Sequence, residues 1–256
     1  MKKKQLLVLL ATLISVAGIY LINTGLTPLK PTGAVAGDEG GVVNYTLPPG
    51  FIFSIWGLIY LGFLVYAFYG LKASAQNNSL MNNTANLVSF SIVLNLVWVA
   101  IVGLGWWVAA YPLQWLMLVL AILLLKKWDV KKENLSVLQK SLSIPFALYA
   151  GWLTVAMIPF TADLLNEAEW NGGPFSRTTW AVIMYVVATG IVVWAYTGLR
   201  QPFYLLPLCW ALFGFVIKFD DLVETIALIL CILLTIFFLI QAVRFYWQRK
   251  LTAAKQ

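Results

Sequence analysis

The chain has 256 residues, of which 61% are hydrophobic and only 11% are charged. A soluble domain carries about 25% charged residues, so the composition excludes an ordinary soluble protein and indicates an integral membrane protein. The chain has no histidine, and its two cysteines, Cys209 and Cys231, lie in apolar stretches. This pattern argues against a disulfide framework and against a metal site.

Apolar runs in chain order predict eight transmembrane helices. The first follows MKKK and covers 5–23. The triplet 34–36 resembles a signal-peptide cleavage site, but it lies well beyond an apolar run that is long enough to span, so a retained helix is favoured. The other runs predict helices over about 47–69, 85–108, 112–125, 138–160, 178–199, 202–217 and 222–246.

The distribution of charge predicts the topology. With a cytoplasmic N-terminus, only Lys30, Arg177 and Lys218 of the 17 basic residues fall on the outer side. This bias predicts both termini in the cytoplasm, in what we expect to be a bacterial inner membrane. The basic surplus is therefore a topology signal, and no nucleic-acid partner is predicted.

Aromatic residues form a stripe on the second predicted helix. Phe53, Trp56, Tyr60 and Phe63 are spaced by three, four and three residues, which places their rings on one helix face. In isolation, such a stripe favours packing over a ligand-facing wall.

Two further helices combine aromatic rings with a polar group. Asn95 and Trp98 share a face of helix three, and the amide serves either as an interhelical hydrogen-bond partner or as a polar anchor for a ligand. Tyr149, Trp152 and Ala156 share a face of helix five. Three aromatic faces with polar groups predict a pocket for a flat hydrophobic ligand.

The motifs on these helices resemble a known family. The segment Pro48-Pro49-Gly50, followed by aromatic residues at 53, 56 and 60, resembles the opening of the second helix in the tryptophan-rich sensory protein (TspO/MBR) family, whose mitochondrial members are the translocator proteins. Residues 94–98 are similar to its LNxxW motif, and residues 152–156 resemble its WxxxA motif. The resemblance covers about 5–160 and implies a five-helix ligand-binding bundle over 1–160, followed by a three-helix extension over 161–256 in the same membrane domain.

The resemblance also implies a ligand and an assembly. It implies a pocket for a porphyrin, a haem-like tetrapyrrole or a sterol, often in a homodimer, with the loop 24–46 as its lid. Trp56, Asn95, Trp98 and Trp152 would line this pocket. The predicted ligand-binding set, from the motifs and the helix faces together, is Phe53, Trp56, Tyr60, Asn95, Trp98, Tyr149, Trp152 and Ala156.

The extension carries an acidic cluster of Asp220, Asp221 and Glu224. It serves either as a cap that complements the dipole of the last helix or as an ion or proton site. No nucleophile–base pair, phosphate-binding loop or metal-ligand cluster appears in the sequence, so neither an enzyme nor a required cofactor is predicted. Three functions remain open: a receptor or sensor for the ligand, a transporter that moves it, and a scaffold for a protein partner.

Overall fold

The computed structural model describes residues 2–32, 44–76, 78–128, 138, 141–170 and 172–253. Within these ranges the chain is all-α. Its main helices are α1 (Lys2–Asn23), α2 (Ile55–Gly70), α3 (Ser79–Gly103), α4 (Trp107–Lys127), α5 (Ile144–Glu167), α6 (Arg177–Leu199), α7 (Leu206–Lys218) and α8 (Leu222–Ala253). Short 3₁₀ turns, Gly50–Ser54 and Pro202–Tyr204, precede α2 and α7.

The helices confirm the prediction of a polytopic membrane bundle. Among the described residues, all the main helices except α7 belong to segments that are long and apolar enough to cross a membrane. The helix α7 is apolar but has only 13 residues. Together with the turn before it, α7 forms the apolar segment Pro202–Lys218, which is shorter than the other spans. That this segment crosses the bilayer as the eighth span stays a prediction.

Local chemistry shifts several helix boundaries from the predicted positions. Pro49 is extended (φ −61°, ψ 151°), and the chain passes through the turn Gly50–Ser54 before α2 begins. The helix α3 begins earlier than predicted because the Asn78 side chain accepts hydrogen bonds from the N–H groups at its start. The helices α4 and α5 contain Pro112 and Pro159, respectively, so these prolines do not mark helix ends.

The chain divides into two compact units. Unit one takes its residues from 1–42 and 56–128 and contains α1, nearly all of α2, α3 and α4. Unit two takes its residues from 43–55 and 129–256 and contains the turn before α2 together with α5 to α8. The predicted boundary at residue 160 is the end of the five-helix bundle that the family resemblance implies. The two compact units are defined by packing and do not test this boundary, so it stays a prediction.

Unit one is held together partly by buried polar side chains. Gln5, Thr12 and Ser15 are fully buried on α1, and the Gln5 side-chain amide donates to Asn82 Oδ1 on α3 at 3.2 Å. In a bilayer such groups need partners within the protein. The hydrogen bond between Gln5 and Asn82 therefore connects α1 to α3, whereas the Thr12 hydroxyl donates to the Val8 carbonyl of its own helix.

In unit two, α7 packs against both α5 and α8. Gly151 on α5 allows the turn Pro202–Tyr204 to approach closely, because a Cβ atom at this position would lie 3.0 Å from Pro207 Cγ and would overlap the Tyr204 carbonyl oxygen. The hydroxyl groups of Thr154 and Tyr204 are hydrogen-bonded at 2.8 Å beside this contact. The close approach brings α5 and α7 together around a cavity.

Candidate functional site

The candidate site is a cavity within unit two. Its volume is about 40 Å³, counted as the space that the centre of a water-sized sphere can reach, and its wall is almost entirely apolar. The wall combines the segment before α2 with three helices. It consists of Thr46, Pro48 and Phe53, of Trp152, Val155, Ala156, Ile158 and Pro159 on α5, of Tyr185 and Ala188 on α6, and of Leu208, Ala211, Leu212 and Phe215 on α7.

Aromatic rings form one part of this wall. Phe53 and Trp152 meet edge to face, with ring centroids 5.8 Å apart and an interplanar angle of 88°. Ala156 lies one helical turn after Trp152, so its small side chain faces the same space. Three of the predicted ligand-binding residues are thus brought together in one cavity.

Tyr185 and Phe215 form a second aromatic wall that the sequence analysis missed. Their rings stack with centroids 4.5 Å apart and an interplanar angle of 19°, and both line the cavity. The Tyr185 hydroxyl donates to the backbone carbonyl of Tyr45. A tyrosine in an apolar helix is only a weak sequence signal: a buried phenol requires a hydrogen-bond partner, but the local pattern does not identify that partner.

The segment before α2 is fixed by polar contacts from α5 and α7 of the same unit. Lys218 Nζ donates to the carbonyl oxygens of Asn44 at 3.3 Å and of Leu47 at 3.0 Å. The Asn44 side-chain amide donates to Asp163 Oδ1 at 2.9 Å. The indole N–H of Trp210 donates to the Ile52 carbonyl at 2.8 Å. Together, α5 and α7 hold this segment in the cavity wall.

Four other predicted residues lie within unit one, and three of them are in direct contact. Trp56 stacks on Tyr60 with centroids 5.4 Å apart, and the Tyr60 hydroxyl donates to Asn95 Oδ1 at 2.9 Å. Asn95 is fully buried, and its Nδ2 atom has no hydrogen-bond partner among the described residues. Trp98 and Tyr60 pack against the same apolar cluster, which includes Ile19. That these residues and those of the cavity contact one ligand stays a prediction.

Tyr149, the eighth predicted residue, is buried on α5 with 1% exposure. It is not among the residues that line the cavity of unit two. Its place in the ligand-binding set therefore rests on the sequence pattern alone.

The acidic residues lie at the start of α8. Asp221 Oδ1 accepts the backbone N–H of Val223 at 2.8 Å, in the manner of a helix cap. Asp220 and Asp221 are exposed, whereas Glu224 is half-buried. Across the part of the chain that the structure describes, no group of three or more His, Cys, Asp or Glu residues could hold a metal ion. The ion or proton role of this cluster stays a prediction.

Comparison with known proteins gives a family match that covers most of the chain. A family model described as TSPO-like protein matches residues 5–240. The match extends well beyond the motifs, through α6 and α7 and into α8. No curated protein and no solved structure gives a significant match.

Proposed function

We propose that this chain, which belongs to the TSPO-like protein family, is a membrane receptor that binds a hydrophobic planar ligand in the cavity of unit two. Family membership and the apolar helices support an integral membrane protein that senses or binds a ligand. The observation that carries the proposal is the apolar cavity in which Phe53, Trp152 and Ala156 meet. Apolar cavities with a few polar groups at the edge are typical sites for small molecules.

The proposed ligand is a porphyrin or another haem-like tetrapyrrole, with a sterol as the alternative. The aromatic walls around Trp152 and Tyr185 suit the faces and edges of a flat, apolar ring system. A volume of about 40 Å³ accommodates only the equivalent of a few water molecules. Binding a whole macrocycle therefore requires the wall to move apart.

The setting of the receptor is part of the proposal. Because 14 of the 17 basic residues (all except Lys30, Arg177 and Lys218) fall on one side of the predicted topology, we place both termini in the cytoplasm, in a bacterial inner membrane. We further propose a homodimer that acts by binding rather than by catalysis and that requires no cofactor.

A receptor is preferred over a transporter because of the contacts of Asp221. This residue caps α8, and a cap gives the acidic cluster a structural role without proton or ion transfer. A scaffold for a protein partner would need neither the cavity nor the cluster. The apolar cavity therefore favours ligand binding over a scaffold, and the cap at Asp221 argues against a transporter driven by a proton or ion at this residue.

A ligand titration tests the proposed function. Ala156→Phe fills the cavity, whereas Ala109→Phe makes the same change on the exposed surface of α4. Titration of the detergent-purified proteins with protoporphyrin IX, followed by tryptophan fluorescence, should give saturable quenching for the unmodified chain and for Ala109→Phe. We expect the Kd of Ala156→Phe to rise by about tenfold or more, roughly 1.4 kcal/mol. Equal affinities in all three proteins would place the ligand elsewhere, and linear quenching would exclude a tetrapyrrole.

Asn95→Ala, measured beside these proteins, tests whether the polar cluster of unit one contacts the same ligand. An unchanged Kd restricts the ligand to unit two. A Kd raised about tenfold supports the full predicted set of ligand-binding residues.

A further inference from the structure

Polar and cationic side chains join the C-terminal end of α6 to α8 within unit two. The Tyr196 hydroxyl donates to Gln241 Oε1 at 3.1 Å, and the Tyr196 ring meets Phe237 edge to face, with ring centroids 5.6 Å apart. Arg200 and Arg244 both lie within electrostatic range of the Tyr196 hydroxyl. We call Tyr196, Arg200, Gln241 and Arg244 the arginine cluster. It brings two guanidinium groups from neighbouring helices to one place.

The two arginines have no carboxylate partner among the described residues. The described acidic residues of unit two lie at 163–169, towards the end of α5, and at 220–224, at the start of α8. Arg244 follows Glu224 by 20 residues along α8, which at about 1.5 Å per residue is roughly 30 Å. Arg200 donates only its Nε, to the Thr197 carbonyl at 3.4 Å. The remaining guanidinium donors of the cluster are therefore available to an external anion.

Helix capping accounts for only one of these arginines. A cation beside the carbonyl end of a helix complements the helix dipole, and Arg200 is the C-cap of α6. Arg244 lies inside α8, well before its end at Ala253, so it has no such role. The cap position of Arg200 is left-handed (φ 52°, ψ 24°), a conformation that glycine adopts without strain. Arg200→Gly therefore removes the guanidinium group without a backbone penalty.

The arginine cluster borders a surface of exposed apolar side chains. Trp194 on α6 is 76% exposed, and Ile240 and Val243 on α8 are 45% and 55% exposed. In a membrane protein such side chains contact lipid chains, and tryptophan is enriched at the level of the headgroups. A cationic group beside an acyl-chain surface matches the two parts of a phospholipid.

We propose that the arginine cluster binds the phosphate group of an anionic phospholipid, whose acyl chains lie along the exposed faces of α6 and α8. Arginine pairs with phosphate through two parallel N–H donors, which makes it better suited to this group than a point charge is. Basic pockets between transmembrane helices are typical sites for anionic headgroups. In the topology proposed above, the cluster faces the cytoplasmic leaflet. The site is separate from the cavity, so it does not depend on the ligand proposed there.

Native mass spectrometry of the detergent-purified full chain tests the site, with phosphatidylglycerol and phosphatidylcholine of the same acyl chains as probes. The variant combines Arg200→Gly with Arg244→Gln. Arg177→Gln is the matched control, because Arg177 is an exposed arginine at the opposite end of α6. Each basic residue near a membrane surface adds roughly fivefold to the affinity for an anionic lipid. We therefore expect the double variant to raise the Kd for phosphatidylglycerol about twentyfold, with no change for phosphatidylcholine or in Arg177→Gln.

Three outcomes would overturn the lipid site: equal affinities of the unmodified chain for the two lipids, an unchanged Kd for phosphatidylglycerol in the double variant, or an equal loss in Arg177→Gln. Competition with soluble glycerol phosphate distinguishes the source of the phosphate. If it displaces phosphatidylglycerol at equal concentration, the site binds a free phosphate compound and the lipid assignment is wrong. If the double variant loses helicity by circular dichroism, Arg244→Gln alone decides. A rise in Kd of about fivefold supports the site, and an unchanged Kd refutes it.

Discussion

Gly151 determines how closely α5 approaches the turn before α7, and Gly151→Ala should destabilise unit two. The added Cβ would overlap the Tyr204 carbonyl oxygen and lie 3.0 Å from Pro207 Cγ, and the Tyr204 backbone cannot rotate away as a side-chain end could. Overpacking of this kind costs about 1–3 kcal/mol. Displacement of the turn from α5 by the added Cβ would also weaken the 2.8 Å hydrogen bond between Thr154 and Tyr204. This adds a cost of about 0.5–1.5 kcal/mol. The higher helix propensity of alanine offsets roughly 1 kcal/mol, which leaves a net loss of about 0.5–3.5 kcal/mol.

The assay is equilibrium unfolding in mixed detergent, followed by tryptophan fluorescence, beside the matched control Gly190→Ala. A Cβ at Gly190 would have no neighbour within 4 Å, so the control should be as stable as the unmodified chain or more stable by up to about 1 kcal/mol. If Gly151→Ala and Gly190→Ala have equal free energies of unfolding, the close approach of the turn to α5 is wrong.

Substitutions at three further positions test other contacts. Tyr60→Phe removes the donor to Asn95 Oδ1 and should cost about 1–3 kcal/mol in the same unfolding assay, because a buried acceptor is left unpaired; a loss below about 0.3 kcal/mol would contradict this bond. Asp221→Ala should cost about 0.5–2 kcal/mol through loss of the helix cap, whereas Asp221→Asn should stay close to native; if ligand movement into liposomes is abolished in Asp221→Asn, the residue belongs to an ion or proton pathway instead. Gly214→Ala places a Cβ 2.8 Å from Ile52 Cδ1 and should speed amide exchange in the turn before α2; native exchange there would contradict the packing of this turn on α7.

Helices with clear chemical boundaries could be predicted from the sequence. The helix α6 was predicted at 178–199 and is found at Arg177–Leu199, because Ser176 caps its start. Pro48 and Pro49 were predicted to begin the second helix, but a 3₁₀ turn follows them and α2 begins only at Ile55. A proline pair is compatible with either an α-helix or a 3₁₀ turn directly after it, and the sequence alone does not decide between the two.

The candidate site was predicted only in part. Phe53, Trp152 and Ala156 could be found because they carry motifs and share helix faces. Tyr185 could not be placed, because α6 is apolar on all sides and a helix of this kind has no periodic contrast that identifies its inner face. Its hydrogen bond to Tyr45 joins residues 140 apart in sequence, and no local pattern reveals such a pairing.

Because unit two is assembled from separated parts of the chain, the order of synthesis affects how the cavity forms. The segment before α2 leaves the ribosome before α5 to α8. Trp210, whose indole N–H donates to the Ile52 carbonyl, follows Ile52 by 158 residues. Lys218, which holds Leu47, follows 171 residues after it. A nascent chain that ended at residue 160 would contain Phe53, Trp152 and Ala156. It would lack the side chains that hold the segment before α2, which belong to Asp163, Tyr185, Trp210 and Lys218. During membrane insertion, completion of the cavity therefore waits for the helices at the C-terminal end of the chain.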